Sequence, residues 1–248
     1  MSLQQFFEKN PRVAIAFSGG VDSSYLLYSA KAAGCVVHAY YLKSEFQPEF
    51  EHEDAVSVAS FIGVPLTVVD FSVLGVPSVT ENSADRCYFC KTQILEKLWE
   101  LVRVDGFTVL CDGTNADDDE GDRPGMRALR EQGVISPLRE CGLTKSEIRE
   151  LSKQAGLSTF DKPAYACLAT RIPTGTAITG KFLEMVERAE SALFEMGFSD
   201  FRVRLIPPAT ANIQMPTKQW DEAAARRDEI HEALQPDFKN VLLDLATR

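Results

Sequence analysis

The segment from Ser18 to Ser23 carries side chains and backbone positions that could bind phosphate. It reads Ser-Gly-Gly-Val-Asp-Ser and directly follows the apolar run 13–17. Gly19 and Gly20 permit backbone conformations that a Cβ forbids, so successive N–H groups can converge on phosphate oxygens. The hydroxyls of Ser18 and Ser23 add further donors. The pattern therefore predicts an anion-binding turn between a strand and a helix.

Asp22 lies at the start of the helix predicted after this turn. The positive end of that helix favours a bound phosphate, and the Asp22 carboxylate suits a magnesium ion that bridges a departing pyrophosphate. The chain has no Gly-x-x-x-x-Gly-Lys-Ser/Thr motif, so it lacks the lysine that holds the β- and γ-phosphates in P-loop enzymes. The simpler alternative is a glycine turn in which Asp22 is an ordinary helix N-cap.

The cysteines are the second group of candidate chemical residues. Cys87 and Cys90, in Cys-Tyr-Phe-Cys, place two thiolates within reach of one metal centre, and Cys167 is the third candidate. Three thiolates would leave one iron of a four-iron four-sulfur cluster open to sulfide or substrate, whereas a structural zinc site normally has four protein ligands. The alternatives for the Cys87 and Cys90 pair are simple packing or a redox function. Packing accounts for Cys35, Cys111 and Cys141.

Several charged residues are candidates for substrate contact. Arg202 and Arg204 point the same way along a predicted strand and could both face a phosphate, or they could form a solvated strand face. Arg171 could bind phosphate or carboxylate, or cap a loop. The acidic run 117–120 is interpreted as a solvated loop, with contact to magnesium or substrate as the alternative.

Hydrophobic periodicity predicts the elements that must position these residues. Buried strands and helices alternate up to residue 111, and this order predicts an α/β fold with a parallel sheet and helices on both faces. The pattern changes near Pro173 to that of a small C-terminal α+β unit. We therefore predict one domain over residues 1–172 and a substrate-binding or oligomerisation domain over residues 173–248. The predicted strands are 13–17, 36–42, 66–71, 108–111, 201–206, 211–215 and 241–245, and the predicted helices are 22–33, 48–62, 90–104, 126–132, 144–155, 181–196 and 220–234.

Composition narrows the class of protein. The chain has 248 residues, 45% of them hydrophobic and 25% charged, which is typical of a folded soluble protein. No charged-then-apolar leader opens it, so we expect a cytoplasmic location without a membrane partner. The formal charge of −10 disfavours a nucleic-acid partner, because a polyanion would be repelled.

The loop from Ser18 to Ser24 resembles the signature of the PP-loop ATP pyrophosphatases. This resemblance implies that ATP is cleaved between its α- and β-phosphates to adenylate a substrate. It also implies that Ser18, Gly19, Gly20, Asp22, Ser23 and Ser24 bind the nucleotide and Mg²⁺.

The whole chain resembles the LarE family of ATP-dependent sulfur transferases, which act in the synthesis of the nickel-pincer nucleotide. The segments that carry this resemblance are 18–24, 87–91, 122–125, 166–175 and 201–204. It implies that a carboxylate of pyridinium-3,5-biscarboxylic acid mononucleotide is adenylated and converted to a thiocarboxylate. It further implies a homo-oligomer, with a hexamer as one form, and substrate contacts from Arg171, Arg202 and Arg204.

The family includes members in which the cysteine matching Cys167 gives up its own sulfur, and these members lack the pair matching Cys87 and Cys90. This chain has all three cysteines. It therefore resembles the other form, in which Cys87, Cys90 and Cys167 hold a 4Fe-4S cluster and an external sulfide source supplies the sulfur. On this interpretation Cys167 and Asp22 are the catalytic residues, and the enzyme is not consumed.

Three other functions fit part of the pattern. A tRNA thiolase of the same superfamily can also hold a three-cysteine cluster, but the net acidity of the chain counts against it. An ammonia-dependent amide-forming synthetase would need none of the three cysteines. A non-catalytic nucleotide sensor would bind ATP without steady release of AMP.

Overall fold

The structure is a computed structural model that describes residues 1–118 and 124–246. The chain divides into two compact units, one formed by residues 1–72 and 85–162 and the other by residues 73–84 and 163–248. We refer to them as unit 1 and unit 2. The domain boundary after Ile172 is a different division of the chain and stays a proposal. Part of the acidic run 117–120 and of the segment 122–125 lies outside the described residues.

Unit 1 is built on a four-stranded sheet in the order β3-β2-β1-β4, and every neighbouring pair in it is parallel. This arrangement confirms the predicted parallel α/β sheet. The strands are β1 (Arg12–Ala16), β2 (Val36–Lys43), β3 (Leu66–Asp70) and β4 (Leu110–Asp112).

Eight α-helices occur among the described residues up to residue 162, and α4 is the one among them that belongs to unit 2. They are α1 (Leu3–Lys9), α2 (Val21–Ala32), α3 (Glu49–Ile62), α4 (Pro77–Thr80), α5 (Arg86–Val104), α6 (Pro124–Glu131), α7 (Pro137–Glu140) and α8 (Lys145–Gln154), followed by a 3-10 helix (Ser158–Asp161).

Both faces of β1, a central strand of this sheet, are buried. Val13 and Ile15 of β1 belong to the apolar cluster that includes Leu27 of α2. Ala14, between them, belongs to a second cluster that includes Leu98 of α5. Since side chains alternate along a strand, a continuous apolar run is what a strand covered on both faces requires.

Unit 2 contains a three-stranded sheet in the order β5-β6-β7, with β5 and β6 antiparallel and β6 and β7 parallel. It confirms the predicted small α+β unit. Its further elements are a 3-10 helix (Leu168–Arg171), α9 (Gly180–Glu195), β5 (Arg202–Ile206), β6 (Thr210–Gln214), a 3-10 helix (Thr217–Gln219), α10 (Trp220–Ala225), α11 (Arg227–Leu234) and β7 (Asn240–Leu243).

Two of the predicted helices differ clearly from those of the structure, and the sequence analysis does not predict α1, α4 and α7. The helix predicted to start at Cys90 starts at Arg86, so the Cys87 and Cys90 pair lies in its first turn. The helix predicted over 220–234 is interrupted at Arg226, where Nη1 donates to the Met196 carbonyl at 2.6 Å. The backbone at Arg226 has φ −102° and ψ 20°, which departs from helical geometry and divides the segment into α10 and α11.

The capping box predicted at the start of α8 is present. The Thr144 hydroxyl accepts the Glu147 N–H at 3.3 Å, and the Glu147 carboxylate accepts the Thr144 N–H at 2.9 Å. Within the described ranges, no helix combines the length and the apolar character needed to cross a bilayer.

Candidate functional site

The glycine turn joins β1 to α2 and is shaped by a close backbone approach. Gly19 has a φ of +70°, in the left-handed region that favours glycine. A Cβ added there would lie 2.9 Å from both Cα and Cβ of Ala55 on α3. Gly19 therefore combines a conformation and a proximity that a side chain would disturb.

The sheet topology places this turn where open α/β sheets bind ligands. From β1 the chain continues to β2 on one side, whereas β4 lies on the other side of β1. Such a switch point opens a crevice at the carboxyl ends of the strands. Gly113, which follows β4, has the same tight fit, since a Cβ there would lie 2.8 Å from the Ser23 nitrogen.

Hydroxyl groups hold the turn in shape. The Ser18 and Ser23 hydroxyl oxygens lie 3.0 Å apart, and Ser23 Oγ donates to the Gly20 carbonyl at 3.2 Å. Gly20 is the N-cap of α2 and makes no side-chain cap, so the free N–H groups of the first turn have no side-chain acceptor at the cap. Ser24 is fully buried, and its hydroxyl has no hydrogen-bond partner within the described part of the chain.

Asp22 is held by a lysine that sequence reasoning did not assign to the site. Lys145 Nζ donates to Asp22 Oδ2 at 2.6 Å. Asp22 Oδ1 is buried and makes no hydrogen bond of ordinary length among the residues that the structure describes, although the Asn115 side chain lies close enough to lower the pKa of Asp22. The pKa of Asp22 lies above its ordinary value, because burial raises it by more than the hydrogen bond and the charge of Lys145 lower it. An unpartnered carboxylate oxygen beside an anion-binding turn fits a magnesium ion, which takes one or two protein carboxylates and the phosphates of its ligand.

The described part of the acidic run 117–120 forms hydrogen bonds next to Lys145. Asp117 Oδ2 accepts the Lys145 N–H at 2.7 Å, and Asp118 Oδ2 accepts the Asn115 N–H at 2.9 Å. Arg139 donates to the Asp118 carbonyl. These bonds fix the loop after β4 against the start of α8, so Asp117 and Asp118 have specific partners and are not merely solvated.

A second carboxylate lies at the carboxyl end of β4. Asp112 accepts hydrogen bonds from the hydroxyls of Thr114 and Ser136, each at 2.6 Å. Lys91 Nζ lies 3.9 Å from Asp112 Oδ2. Lys91 immediately follows Cys90. This ion pair therefore connects the turn of α5 that contains the cysteines to the carboxyl end of β4.

Two of the three candidate sulfur ligands share one helical turn in unit 1. Cys87 is exposed and Cys90 is half-buried, and a spacing of three residues puts both on one side of α5. Arg86 Nη2 lies 3.7 Å from Cys87 Sγ. The positions are compatible with two ligands of one metal centre.

Cys167 lies in unit 2, at the N-cap of the 3-10 helix Leu168–Arg171, and is half-buried. Among the described residues, no group of three or more His, Cys, Asp or Glu side chains is assembled that could hold a metal ion. The cluster assigned to Cys87, Cys90 and Cys167 is therefore a proposal based on residue types.

The remaining cysteines fit the packing interpretation. Cys111 is completely buried, and burial raises the pKa of its thiol. Burial also raises the pKa values of Cys35 and Cys141. Neutral thiols of this kind are poor nucleophiles and poor metal ligands.

The three candidate arginines lie in unit 2 and differ in exposure. Arg204 is exposed, with Nη1 donating to the Thr170 carbonyl at 2.9 Å. Arg202 is 7% exposed and donates to the carbonyls of Phe201 and Ala164, each at 2.7 Å.

Arg171 is 1% exposed and forms a buried ion pair with Glu190 at 2.7 Å. Arg204 is therefore the arginine best placed to meet a ligand from solvent. Substrate binding by Arg171 stays a prediction, and its surroundings favour a role in holding the protein together.

Comparison with known proteins gives two kinds of match. Residues 11–87 match the family described as the tRNA methyl transferase HUP domain. Pyridinium-3,5-bisthiocarboxylic acid mononucleotide synthase of Lactiplantibacillus plantarum is 30% identical over 237 residues, which cover 94% of this chain and 86% of that protein.

Two other relatives are similar to this chain over shorter stretches. An uncharacterised protein of Synechocystis is 39% identical over 223 residues, 88% of this chain and 81% of that protein. A tRNA-specific 2-thiouridylase of Pseudothermotoga lettingae is 28% identical over 187 residues, 61% of this chain and 54% of that protein. The similarity to the mononucleotide synthase thus extends over both units.

Proposed function

Since this chain belongs to the LarE family of ATP-dependent sulfurtransferases, we propose that it converts a carboxylate of pyridinium-3,5-biscarboxylic acid mononucleotide into a thiocarboxylate. The proposal has two chemical steps, adenylation of the carboxylate and displacement of AMP by sulfide.

In the first step a carboxylate oxygen attacks the α-phosphorus of ATP, and the bond to the bridging oxygen breaks so that pyrophosphate leaves. In the second step sulfide attacks the acyl carbon of the mixed anhydride. The carbon–oxygen bond breaks, and AMP leaves with the former carboxylate oxygen. One ATP and one hydrosulfide are consumed for each thiocarboxylate, AMP and pyrophosphate formed.

The observation that carries the first step is that a buried Asp22 oxygen without a hydrogen bond lies next to the turn at the start of α2. We assign the triphosphate to the N–H groups and hydroxyls of Ser18, Gly19, Gly20, Ser23 and Ser24. Asp22 would hold Mg²⁺, which supplies positive charge to the departing pyrophosphate. Lys145 keeps the Asp22 carboxylate oriented.

For the second step we assign substrate binding to Arg204 and Arg202, because a guanidinium can bind phosphate through two parallel N–H bonds. Arg171 is retained as a predicted substrate contact, and Cys167 as the catalytic cysteine. We also retain a cytoplasmic location, a homo-oligomeric state and an external sulfide source as proposals.

A 4Fe-4S cluster held by Cys87, Cys90 and Cys167 remains our proposal for the sulfur carrier. Support comes from the thiol residue types and from the shared helical turn of Cys87 and Cys90. The test is anaerobic purification with measurement of iron and labile sulfide in the wild type and in the three single Cys→Ala variants. Iron retained in all three variants would exclude the cluster, and zinc in place of iron would indicate a structural site.

The function is tested by incubating the protein with ATP, Mg²⁺, the biscarboxylic acid mononucleotide and sulfide. We expect AMP and the thiocarboxylate to form over many turnovers, with mass spectrometry identifying the sulfur product. AMP formation that stops after one equivalent would contradict a catalytic enzyme and favour one that consumes its own cysteine.

The tRNA thiolase is the second candidate, since both the matched HUP domain and the Pseudothermotoga relative carry tRNA in their names. Replacing the mononucleotide with tRNA tests it, and a thiolated nucleoside in digested tRNA would support it. Replacing sulfide with ammonium tests amide formation in the same assay.

A further inference from the structure

Glu190 of α9 is a buried carboxylate on which several segments of unit 2 converge. It is 1% exposed. Its oxygens accept from Arg171 Nε at 2.7 Å and Arg171 Nη2 at 2.9 Å, and from the Val203 N–H at 2.8 Å. The Tyr165 hydroxyl donates to the same carboxylate. A buried charge needs such partners to offset its lost hydration.

Arg171 extends this network to the segment that contains Cys167. Its Nη1 donates to the Ala166 carbonyl at 2.9 Å and to the Thr170 hydroxyl at 2.8 Å. The Thr170 hydroxyl donates in turn to the Cys167 carbonyl at 2.8 Å. The guanidinium thus binds to residues on both sides of Cys167.

Glu190 also anchors the strand that carries Arg202 and Arg204. Strand β5 lies at an edge of its sheet, and Val203 stands between the two arginines. The Val203 N–H, which edge pairing leaves without a strand partner on that side, donates to Glu190. The Tyr165 ring lies 4.5 Å from the Arg171 guanidinium carbon and 5.2 Å from that of Arg202.

We infer that Glu190 and Arg171 are positioning residues that hold the Cys167 segment and the Arg202–Arg204 strand in one fixed arrangement. The inference rests on the proposed function, in which Cys167 and these arginines serve the same substrate. The pair contacts both functional segments, through the Ala166 carbonyl on one side and the Val203 N–H on the other. Removal of either partner would leave the other charge buried and release both segments at once.

The test compares Glu190→Gln with Glu184→Gln, which changes an exposed carboxylate on the same helix. The readout is the rate at which iodoacetamide alkylates Cys167 in the folded protein, measured by peptide mass spectrometry, with the iron content determined in parallel. Cys35 of unit 1 serves as the internal reference. The Michaelis constants for the mononucleotide and for ATP are measured in the same samples.

We expect Glu190→Gln to raise the Cys167 alkylation rate about 10-fold relative to Cys35, the size expected when one buried hydrogen bond is lost. The Michaelis constant for the mononucleotide should rise while that for ATP does not, and Glu184→Gln should match the wild type. An unchanged Cys167 rate, or an equal increase at Cys35, would overturn the inference.

If Glu190→Gln does not fold, as judged by circular dichroism, the Cys167 and Cys35 alkylation rates of Arg171→Lys provide the test, because lysine keeps the charge and loses the two-pronged geometry. Alkylation does not require turnover. A wild-type protein that forms no thiocarboxylate would therefore refute the proposed function. The alkylation rates would still show whether Glu190 and Arg171 position the Cys167 segment.

Discussion

Lys145 Nζ lies 2.6 Å from Asp22 Oδ2 although 123 positions separate the two residues in the chain. The lysine starts α8 and the aspartate lies in the first turn of α2, directly after the glycine turn, so the contact fixes the carboxylate of Asp22. A group that is already oriented loses little free energy when charge develops beside it. This relationship makes Lys145 part of the candidate site.

Lys145→Met should slow AMP formation about 100-fold, the range seen when one preorganised group is removed. The reason is that Asp22 would lose its only cationic hydrogen-bond partner among the described residues. AMP release is followed by chromatography. Lys153→Met, an exposed position on the same helix, is the control, and equal rates in the two variants would show that Lys145 has no special function.

Asp22→Ala should also suppress AMP formation by at least about 100-fold, because the proposed Mg²⁺ ligand is lost. Asp54→Ala, which removes a half-exposed carboxylate of α3, should leave the rate nearly unchanged. Mg²⁺ titration of each variant separates metal binding from a capping role. Near-normal turnover in Asp22→Ala would mean that this residue only caps its helix.

Gly19→Ala should destabilise the chain more than Gly34→Ala. Both glycines have positive φ, but a Cβ at Gly34 meets nothing within 4 Å whereas one at Gly19 meets Ala55. Gly34→Ala should cost about 1–2 kcal/mol for its conformation alone, and Gly19→Ala about 1–3 kcal/mol more for overpacking. Urea unfolding measures both, and equal losses would contradict the close approach of α3.

The raised pKa of Asp22 predicts a pH-dependent stability. An acid with a higher pKa in the folded state binds its proton more tightly there, so its contribution to stability is complete below the ordinary pKa of about 3.9. That contribution is lost as the pH rises through the folded pKa. The stability of Asp22→Asn relative to the wild type should therefore increase between about pH 3 and pH 7.

Asp237→Asn is the control, and its stability should change with pH in the opposite direction. Two hydrogen bonds from Arg188 lower the pKa of Asp237, so the wild-type contribution is present above the ordinary pKa and is lost as the pH falls. This variant should lose stability relative to the wild type as the pH rises over the same interval. Urea unfolding across the interval measures both, and parallel trends in the two variants would refute the assigned pKa directions.

Local patterns in the sequence predicted most elements of the candidate nucleotide site. The apolar run 13–17 and the glycine pair after it predicted the strand and turn, and Thr144 with Glu147 predicted the start of α8. These features depend on interactions among residues a few positions apart, so composition and periodicity are enough to reveal them.

The residues whose function depends on distant partners could not be found this way. No spacing rule joins Lys145 to Asp22, and the burial of Arg171 against Glu190 is likewise invisible in the sequence. The sequence by itself determined the order of the strands along the chain, the glycine turn after β1 and the family. Only the tertiary structure decided which charged side chains meet, because that depends on how separately formed elements pack against one another.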